Sequence, residues 1–394
     1  MTTDNVKTIV VLGAGPAALP IIRQTMVNRV LKRSDLKIVV VAPNTHFHWP
    51  IAMPRAVVPG QLADDKVLIS FEPTFKEYPA EKFEWIQGKA VSLDTGSKTV
   101  AIELNGNATV REVTYDTLIV ATGASTKDDM VWKSLGTTEE TKEKLHKVQD
   151  QISNANTIVV AGGGMTGIET AGELGFEYSQ HGNKEVIFVY SDKLPLAPPA
   201  TDNVRKQAQK ELERLKVKLI PNTKVISAAP KPGSSDIELE LRASDGTTKT
   251  ITAQAYLPAT GVKPNTSFVP SAMLDGDGYV KQTTRLQAEG HKDIFVVGDA
   301  GNLEVSKLMH AEAQSRHLIK ALAVYLDGGE VPEYAPNKKE MFAVTLGRSR
   351  ATGQMGTMKL FSIVIWFMKG RHLGTDYAGG WAAGKRTMSV TFEK

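Results

Sequence analysis

The chain has 394 residues, 41% of them hydrophobic and 23% charged, which is enough for two or three domains with their own cores and excludes a disordered segment. It contains no cysteine, and that excludes disulfides, iron–sulfur clusters, thiolate zinc sites and any electron path through a redox-active cysteine pair. Its 47 Lys and Arg against 43 Asp and Glu leave a net charge of +4, far short of the basic footprint of a nucleic-acid binder, so no nucleic acid is expected as partner.

The chain runs almost at once from Met1 into an apolar strand, so no leader peptide is expected. Residue 2 is Thr, so the N-myristoylation pattern is absent. No run reaches the roughly 20 apolar residues of a membrane span, and the expectation is a cytoplasmic protein made in soluble form.

Residues 8–12 (TIVVL) read as a buried strand feeding a G-x-G-x-x-A turn formed by Gly13, Gly15 and Ala18. A helix is expected over 17–33 and a second strand over 36–41. Small residues at these positions let the backbone approach a pyrophosphate at a helix N-terminus. The pattern then recurs. Residues 157–160 (TIVV) lead into Gly162, Gly164 and Gly167, then a helix and a strand ending near Tyr190. Position 13 maps onto 162, 15 onto 164 and 18 onto 167 at one constant offset, so the chain reads as a duplicated dinucleotide-binding fold.

Two further strands end alike, in Ala121-Thr122-Gly123 and in Ala259-Thr260-Gly261. Each is expected to close one fold and hand the chain to the next. A third strand ends in Gly298-Asp299, ahead of a helix expected around 306–323. A carboxylate beside a helix N-terminus suits acceptance of a hydrogen bond from a ligand hydroxyl, with an N-cap Asp as the lesser alternative.

These motifs resemble the two-dinucleotide-binding flavoprotein superfamily over nearly the whole chain. Within it they look most like the ferroptosis-suppressor and AMID-like branch of the apoptosis-inducing-factor family, with type II NADH:quinone dehydrogenases as relatives. The carrying pieces are GGGMTGIE at 162–169, the Ala-Thr-Gly endings, VGDA at 297–300, and FMKGRH at 367–372 with Trp381 beyond it. The resemblance implies an α/β fold with two Rossmann-like domains, one for FAD (1–125 and 285–340) and one for NAD(P)H (126–284). A basic C-terminal α+β segment (341–394) follows.

By the same resemblance, Gly13, Gly15, Ala18, Ala121, Thr122, Gly123 and Asp299 bind FAD, with Met309 and His310 contacting it mostly through backbone. Gly162, Gly164, Gly167 and Ser191 bind NADH or NADPH. The acidic ribose ligand that many members carry after the second strand is missing here, where Ala42-Pro43-Asn44 stands, so Asn44 or the backbone must replace it. Ser191, with Asp192 and Lys193 after it, leaves the choice between NADH and NADPH open. Glu169 matches a glutamate beside nicotinamide and flavin, and Lys369 a lysine near flavin and quinone; the two are the expected catalytic residues. The branch places an aromatic where this chain has Gly374. Residues 46–49 (HFHW), Pro54 and Arg55 are expected to flank the flavin, and no metal site is expected from the two histidines.

Without a thiol, electrons must pass from flavin to a small acceptor, to oxygen or to another protein, and a quinone is the natural two-electron, two-proton choice. Residues 341–394 carry eight basic and two acidic residues. Inside them the apolar run 360–368 (LFSIVIWFM) has basic flanks, which suits a quinone entrance or an anionic membrane surface such as that of a lipid droplet or mitochondrion. A helix packed on the FAD domain, or a homodimer contact, explains the run equally well. Three other functions stay open: a reductase of an iron–sulfur protein, a flavin oxidase or tailoring enzyme acting on a natural product, and a non-enzymatic NAD(P)H-sensing flavoprotein.

Overall fold

A computed structural model describes residues 6–106 and 109–393. Met1 and Thr2, on which the leader and lipidation readings rest, and Lys394 lie outside the described residues.

A seven-stranded sheet carries the first glycine turn. Its order is Ile294–Val296, Thr117–Val120, Lys7–Leu12, Leu36–Ala42, Phe83–Asp94, Thr99–Leu104 and Val110–Thr114. The first five strands pair in parallel and the last three form an antiparallel meander. Lys7–Leu12 is buried on both faces, as a continuous apolar run in a parallel sheet requires. A four-stranded parallel sheet carries the second turn, in the order Lys218–Ile220, Glu185–Val189, Thr157–Ala161 and Ala255–Pro258.

The duplication is visible atom by atom. Gly13 donates its N–H to Val41 and Gly162 to Val189, each at the end of the neighbouring strand. Gly13 has φ +103° and Gly162 φ +117°, and a Cβ on either would fall 2.3 or 2.2 Å from the carbonyl oxygen of Ala121 or Ala259. Each Ala-Thr-Gly ending thus lies directly against its glycine turn, and only glycine leaves room for both. One detail differs from expectation: the strand of the second copy ends at Val189, so Val41 matches Val189 and Tyr190 lies beyond the strand.

The helix expected over 17–33 is shorter, Ala18–Asn28, followed by a 3₁₀ turn at Val30–Lys32. The third helix runs Leu308–Leu326 rather than 306–323. After residue 340 come an antiparallel sheet (Met341–Leu346, Arg350–Met355, Met358–Lys359), a helical turn Ser362–Ile365, a π-helical turn Trp366–Gly370 and a helix Thr375–Ala382. This segment is no appendage. Val344, Leu346, Leu373 and Trp381 are buried in one core with Trp49 of the first fold and Ile168 of the second.

Candidate active site

A cavity of about 660 Å³ opens above the first glycine turn. Its wall includes Gly13, Gly15, Thr122, Gly123 and Asp299, with Asn44 and the His46 and His48 side of the neighbouring loop. Among the described residues lining it, Asp299 is the one carboxylate, while Lys89, Lys133 and Lys263 supply cations. Its shape and charge suit the FAD that the motifs imply. A Cβ placed on Gly15 or Gly123 meets nothing within 4 Å, so the backbone beside the cavity is bare, and a diphosphate finds more positive than negative charge around it.

Three helices start at the two dinucleotide sites, and all three lack a side-chain N-cap and an acidic first turn: Ala18–Asn28, Met165–Glu177 and Leu308–Leu326. Helix Thr138–Asn154, away from both sites, has a full capping box of Thr137 and Glu140. The contrast leaves the first N–H groups of the three site helices unclaimed by side chains, an arrangement that suits an anion.

Several expected ligands stand elsewhere than the sequence suggested. Leu308 and Ala311 line the cavity, whereas Met309 and His310 are not part of its wall, and His310 Nδ1 sits 2.9 Å from the Val305 carbonyl. Ala18 also stands behind the wall, fully buried. Asn44 reaches the cavity but its amide nitrogen donates to the Gly136 carbonyl at 3.0 Å. Ser191, by contrast, is exposed two residues beyond Val189, whose carbonyl accepts the Gly162 N–H, and so lies at the same strand end as the second glycine turn; Asp192 beside it pairs with Arg205 at 2.9 Å. His46 and His48 do not converge: His46 Nδ1 meets Thr45 Oγ1, and His48 Nε2 faces the Val131 carbonyl at 2.9 Å. Burial pushes the His48 imidazole down to about 4.

Trp49 and Arg55 leave the cavity wall altogether. Trp49 donates from Nε1 to the Leu373 carbonyl at 2.8 Å and packs on Trp381 and Tyr377. Gly374, the departure from the branch pattern, has φ +71°, and a Cβ there would fall 2.6 Å from the Tyr377 hydroxyl. The tyrosine three residues later fills the space beside it.

The two expected catalytic residues come together. Lys369 Nζ lies 2.6 Å from Glu169 Oε1 and also donates to the Ala343 carbonyl at 2.9 Å. The same carboxylate oxygen accepts the Thr345 N–H at 2.9 Å and the Thr345 hydroxyl at 3.2 Å. Glu169 is 5% exposed, so its charge depends on these partners. Sequence reasoning missed the rest of this seam. Glu169, Glu173 and Glu177 form a stripe at four-residue spacing on helix Met165–Glu177, and each meets a cation: Lys369, Arg55 and Arg348 in turn. The spacing was readable; the partners, 118 to 200 residues distant for the first two, were not. Lys133 was missed as well. It enters the cavity from the connector between the folds and pairs with Asp299 at 2.6 Å.

Comparison with known proteins follows the same lines. The family pattern described as pyridine nucleotide-disulphide oxidoreductase matches residues 7–316. An oxidoreductase of Pestalotiopsis fici, ptaL, is 35% identical over 91% of this chain and 94% of its own. Ferroptosis suppressor protein 1 of Taeniopygia guttata is 26% identical over 95% of each chain. Among solved structures, the sulfide:quinone oxidoreductase of Aquifex aeolicus superimposes with a TM-score of 0.78 at 17% identity, covering 98% of this chain and 94% of that one. NDH2 of Plasmodium falciparum, in complex with NADH, gives 0.74 at 12% identity, covering 95% and 99%.

Proposed function

Because the chain belongs to the pyridine nucleotide-disulphide oxidoreductase family, we propose that it is an FAD-dependent NAD(P)H oxidoreductase that passes electrons to a quinone. The observation that carries this reading is the Glu169–Lys369 pair, which joins the second dinucleotide helix to the C-terminal segment at 2.6 Å. The absence of cysteine adds to it: the thiol relay in the family's name has no chemical basis here, so reducing equivalents must leave directly.

In this reading residues 1–125 and 285–340 hold FAD, 126–284 hold NAD(P)H and 341–394 form the acceptor side. Bound FAD supplies a carrier that takes two electrons as hydride from the nicotinamide and yields them to the acceptor. Gly15 and Gly123 would give it bare backbone and Gly13 the tight turn, Asp299 would accept from its hydroxyls, and Lys89, Lys133 and Lys263 would offset its phosphate charge. Glu169 orients the nicotinamide side and handles a proton, since it is buried and already in contact with two donor side chains. Lys369 carries positive charge toward the acceptor oxygen as electrons arrive.

The acceptor side also supports contact with a membrane. Among the described residues no helix is long and apolar enough to cross one. Yet Phe361, Ile363, Phe367 and Met368 are 81, 72, 64 and 76% exposed. Arg371 lies over the Phe367 ring at 5.4 Å, and Lys359 stands exposed at the other end of the run. An apolar face framed by cations suits insertion to headgroup depth in an anionic leaflet. A second reading, a bulkier or non-quinone small acceptor, draws on Gly374 and Tyr377, which give the acceptor side a different aromatic wall.

Steady-state NAD(P)H oxidation separates these readings when a short-chain ubiquinone is compared with oxygen alone and with ferredoxin. Quinone-dependent turnover supports the proposal. Turnover with oxygen or ferredoxin alone replaces it, and no turnover with any of them from FAD-loaded protein returns the chain to a sensing role.

A further inference from the structure

Arg55 comes from the short helix Met53–Ala56 of the first fold, yet its guanidinium is buried where all three parts of the molecule meet. Nε lies 3.1 Å from both oxygens of Glu173 and Nη2 lies 2.8 Å from Oε1. The remaining donors turn the other way: Nη2 reaches the Gly370 carbonyl at 3.1 Å and Nη1 the Arg371 carbonyl at 3.3 Å. Gly370 and Arg371 directly follow Lys369, and Glu173 lies one helical turn beyond Glu169.

Two cation–carboxylate pairs therefore sit side by side on one helix, and their far ends are joined through the backbone at 369–371. That backbone is a π-helical turn, Trp366–Gly370, an irregular conformation whose carbonyls need partners from outside the turn. Arg55 supplies one to Gly370, the last residue of the turn, and another to Arg371 just after it. We infer that Arg55 is the positioning residue for Lys369: it fixes the backbone that carries the lysine, and so keeps the ammonium on Glu169 and turned to the acceptor side. The role in turnover rests on the function proposed above; the placement of the ammonium does not.

A lysine at 55 keeps the charge but has one nitrogen and no planar fork, so it cannot hold Glu173 and both carbonyls together. The experiment reads placement and chemistry separately. In FAD-loaded protein, wild type, Arg55→Lys and Glu173→Gln are treated with a limiting amine-acylating reagent, and modification of Lys369 is measured by mass spectrometry against exposed Lys359. The expected result is about a fivefold rise in the Lys369 to Lys359 ratio for Arg55→Lys and a smaller rise for Glu173→Gln, as the ammonium leaves its carboxylate. An unchanged ratio in both variants overturns the inference, and so does a rise shared by all lysines, which marks general loosening. If Arg55→Lys does not fold, Glu173→Gln decides alone.

Rapid-mixing reoxidation of reduced flavin by ubiquinone is then followed in Arg55→Lys, Lys369→Met and the double variant. Slowing of about tenfold in Arg55→Lys, with no further slowing when it is added to Lys369→Met, is the signature of action through the lysine. Additive losses overturn it. If Lys369→Met alone reoxidises normally while the labelling ratio still rises, the positioning stands and the quinone reading falls.

Discussion

Glu169 and Lys369 are 200 positions apart in the chain and meet at 2.6 Å, with Thr345 donating to the same carboxylate oxygen. One residue belongs to the helix after the second glycine turn and the other to the C-terminal segment, so on the function proposed above the pair would couple the donor side to the acceptor side.

That coupling gives the first prediction. Glu169→Ala lowers the rate of flavin reduction by NAD(P)H about ten- to a hundredfold, equivalent to about 1.4–2.7 kcal/mol of lost transition-state stabilisation. FAD content stays unchanged, because Glu169 does not line the cofactor cavity. Lys369→Met leaves reduction within about twofold and slows reoxidation by quinone by a similar factor of ten or more. Rapid mixing with each substrate alone resolves both steps, and equal slowing of the two by either variant contradicts the division of roles.

The exposed apolar face gives the second. Vesicles containing anionic lipid should float with the wild-type protein at low salt and release it at high salt, since surface attraction of about 1 kcal/mol per basic residue is screened within a Debye length. Replacing both Phe361 and Phe367 by Ser should weaken vesicle binding about tenfold or more, because two exposed aromatic side chains that enter the lipid contribute a few kcal/mol. Turnover with a water-soluble quinone should be unaffected. Flotation that persists in the double variant places the contact elsewhere.

His48 gives a pH dependence whose sign is fixed. Burial holds its imidazole at about 4 in the folded protein, against an ordinary value near 6.5 in the unfolded chain. The unfolded state therefore takes up the proton first, and stability is complete above about pH 6.5 and lost as pH falls toward 4, by up to about 3 kcal/mol. Denaturant unfolding of wild type and His48→Gln at several pH values checks this: the variant's stability should depend less steeply on pH in that window.

Gly172 gives a stability prediction. A Cβ there would fall 2.8 Å from the Gly347 nitrogen and 3.1 Å from the Leu346 Cα, in the contact between the second dinucleotide helix and the C-terminal sheet. Gly172→Ala should cost about 1–3 kcal/mol of stability by forcing the two apart. Chemical denaturation measures it, and a neutral result implies that the sheet yields without loss.

What the sequence displayed and what it hid divide along chain distance. Gly13 and Gly162, the Ala-Thr-Gly endings and Asp299 are local patterns, each tied to a turn or strand end, and they led directly to the parallel strands of the two sheets. Glu169 and Lys369 were identified through a family resemblance, and their contact was not anticipated. Arg55 was assigned to the flavin because it lies near His46 and His48 in the chain; instead Glu173 and two carbonyls draw it away from the cavity. Lys133 carried no motif at all, and only the folding of the connector across the cavity brings it to Asp299. At the start of helix Leu308–Leu326 it is Leu308 and Ala311, rather than Met309 and His310, that line the cavity.

The seam between the chain's two ends has a consequence in time. Arg23, on the first glycine-turn helix, is held by Glu393, 370 positions later, which also receives Gln24, and Trp381 donates to the Pro16 carbonyl within the glycine turn itself. During synthesis at roughly 5–20 residues per second, these partners reach Arg23 and Pro16 only after about 20–70 seconds. The first cofactor turn thus leaves the ribosome well before the residues that complete it, and for that interval Arg23 has Glu77 and not Glu393 as its carboxylate partner.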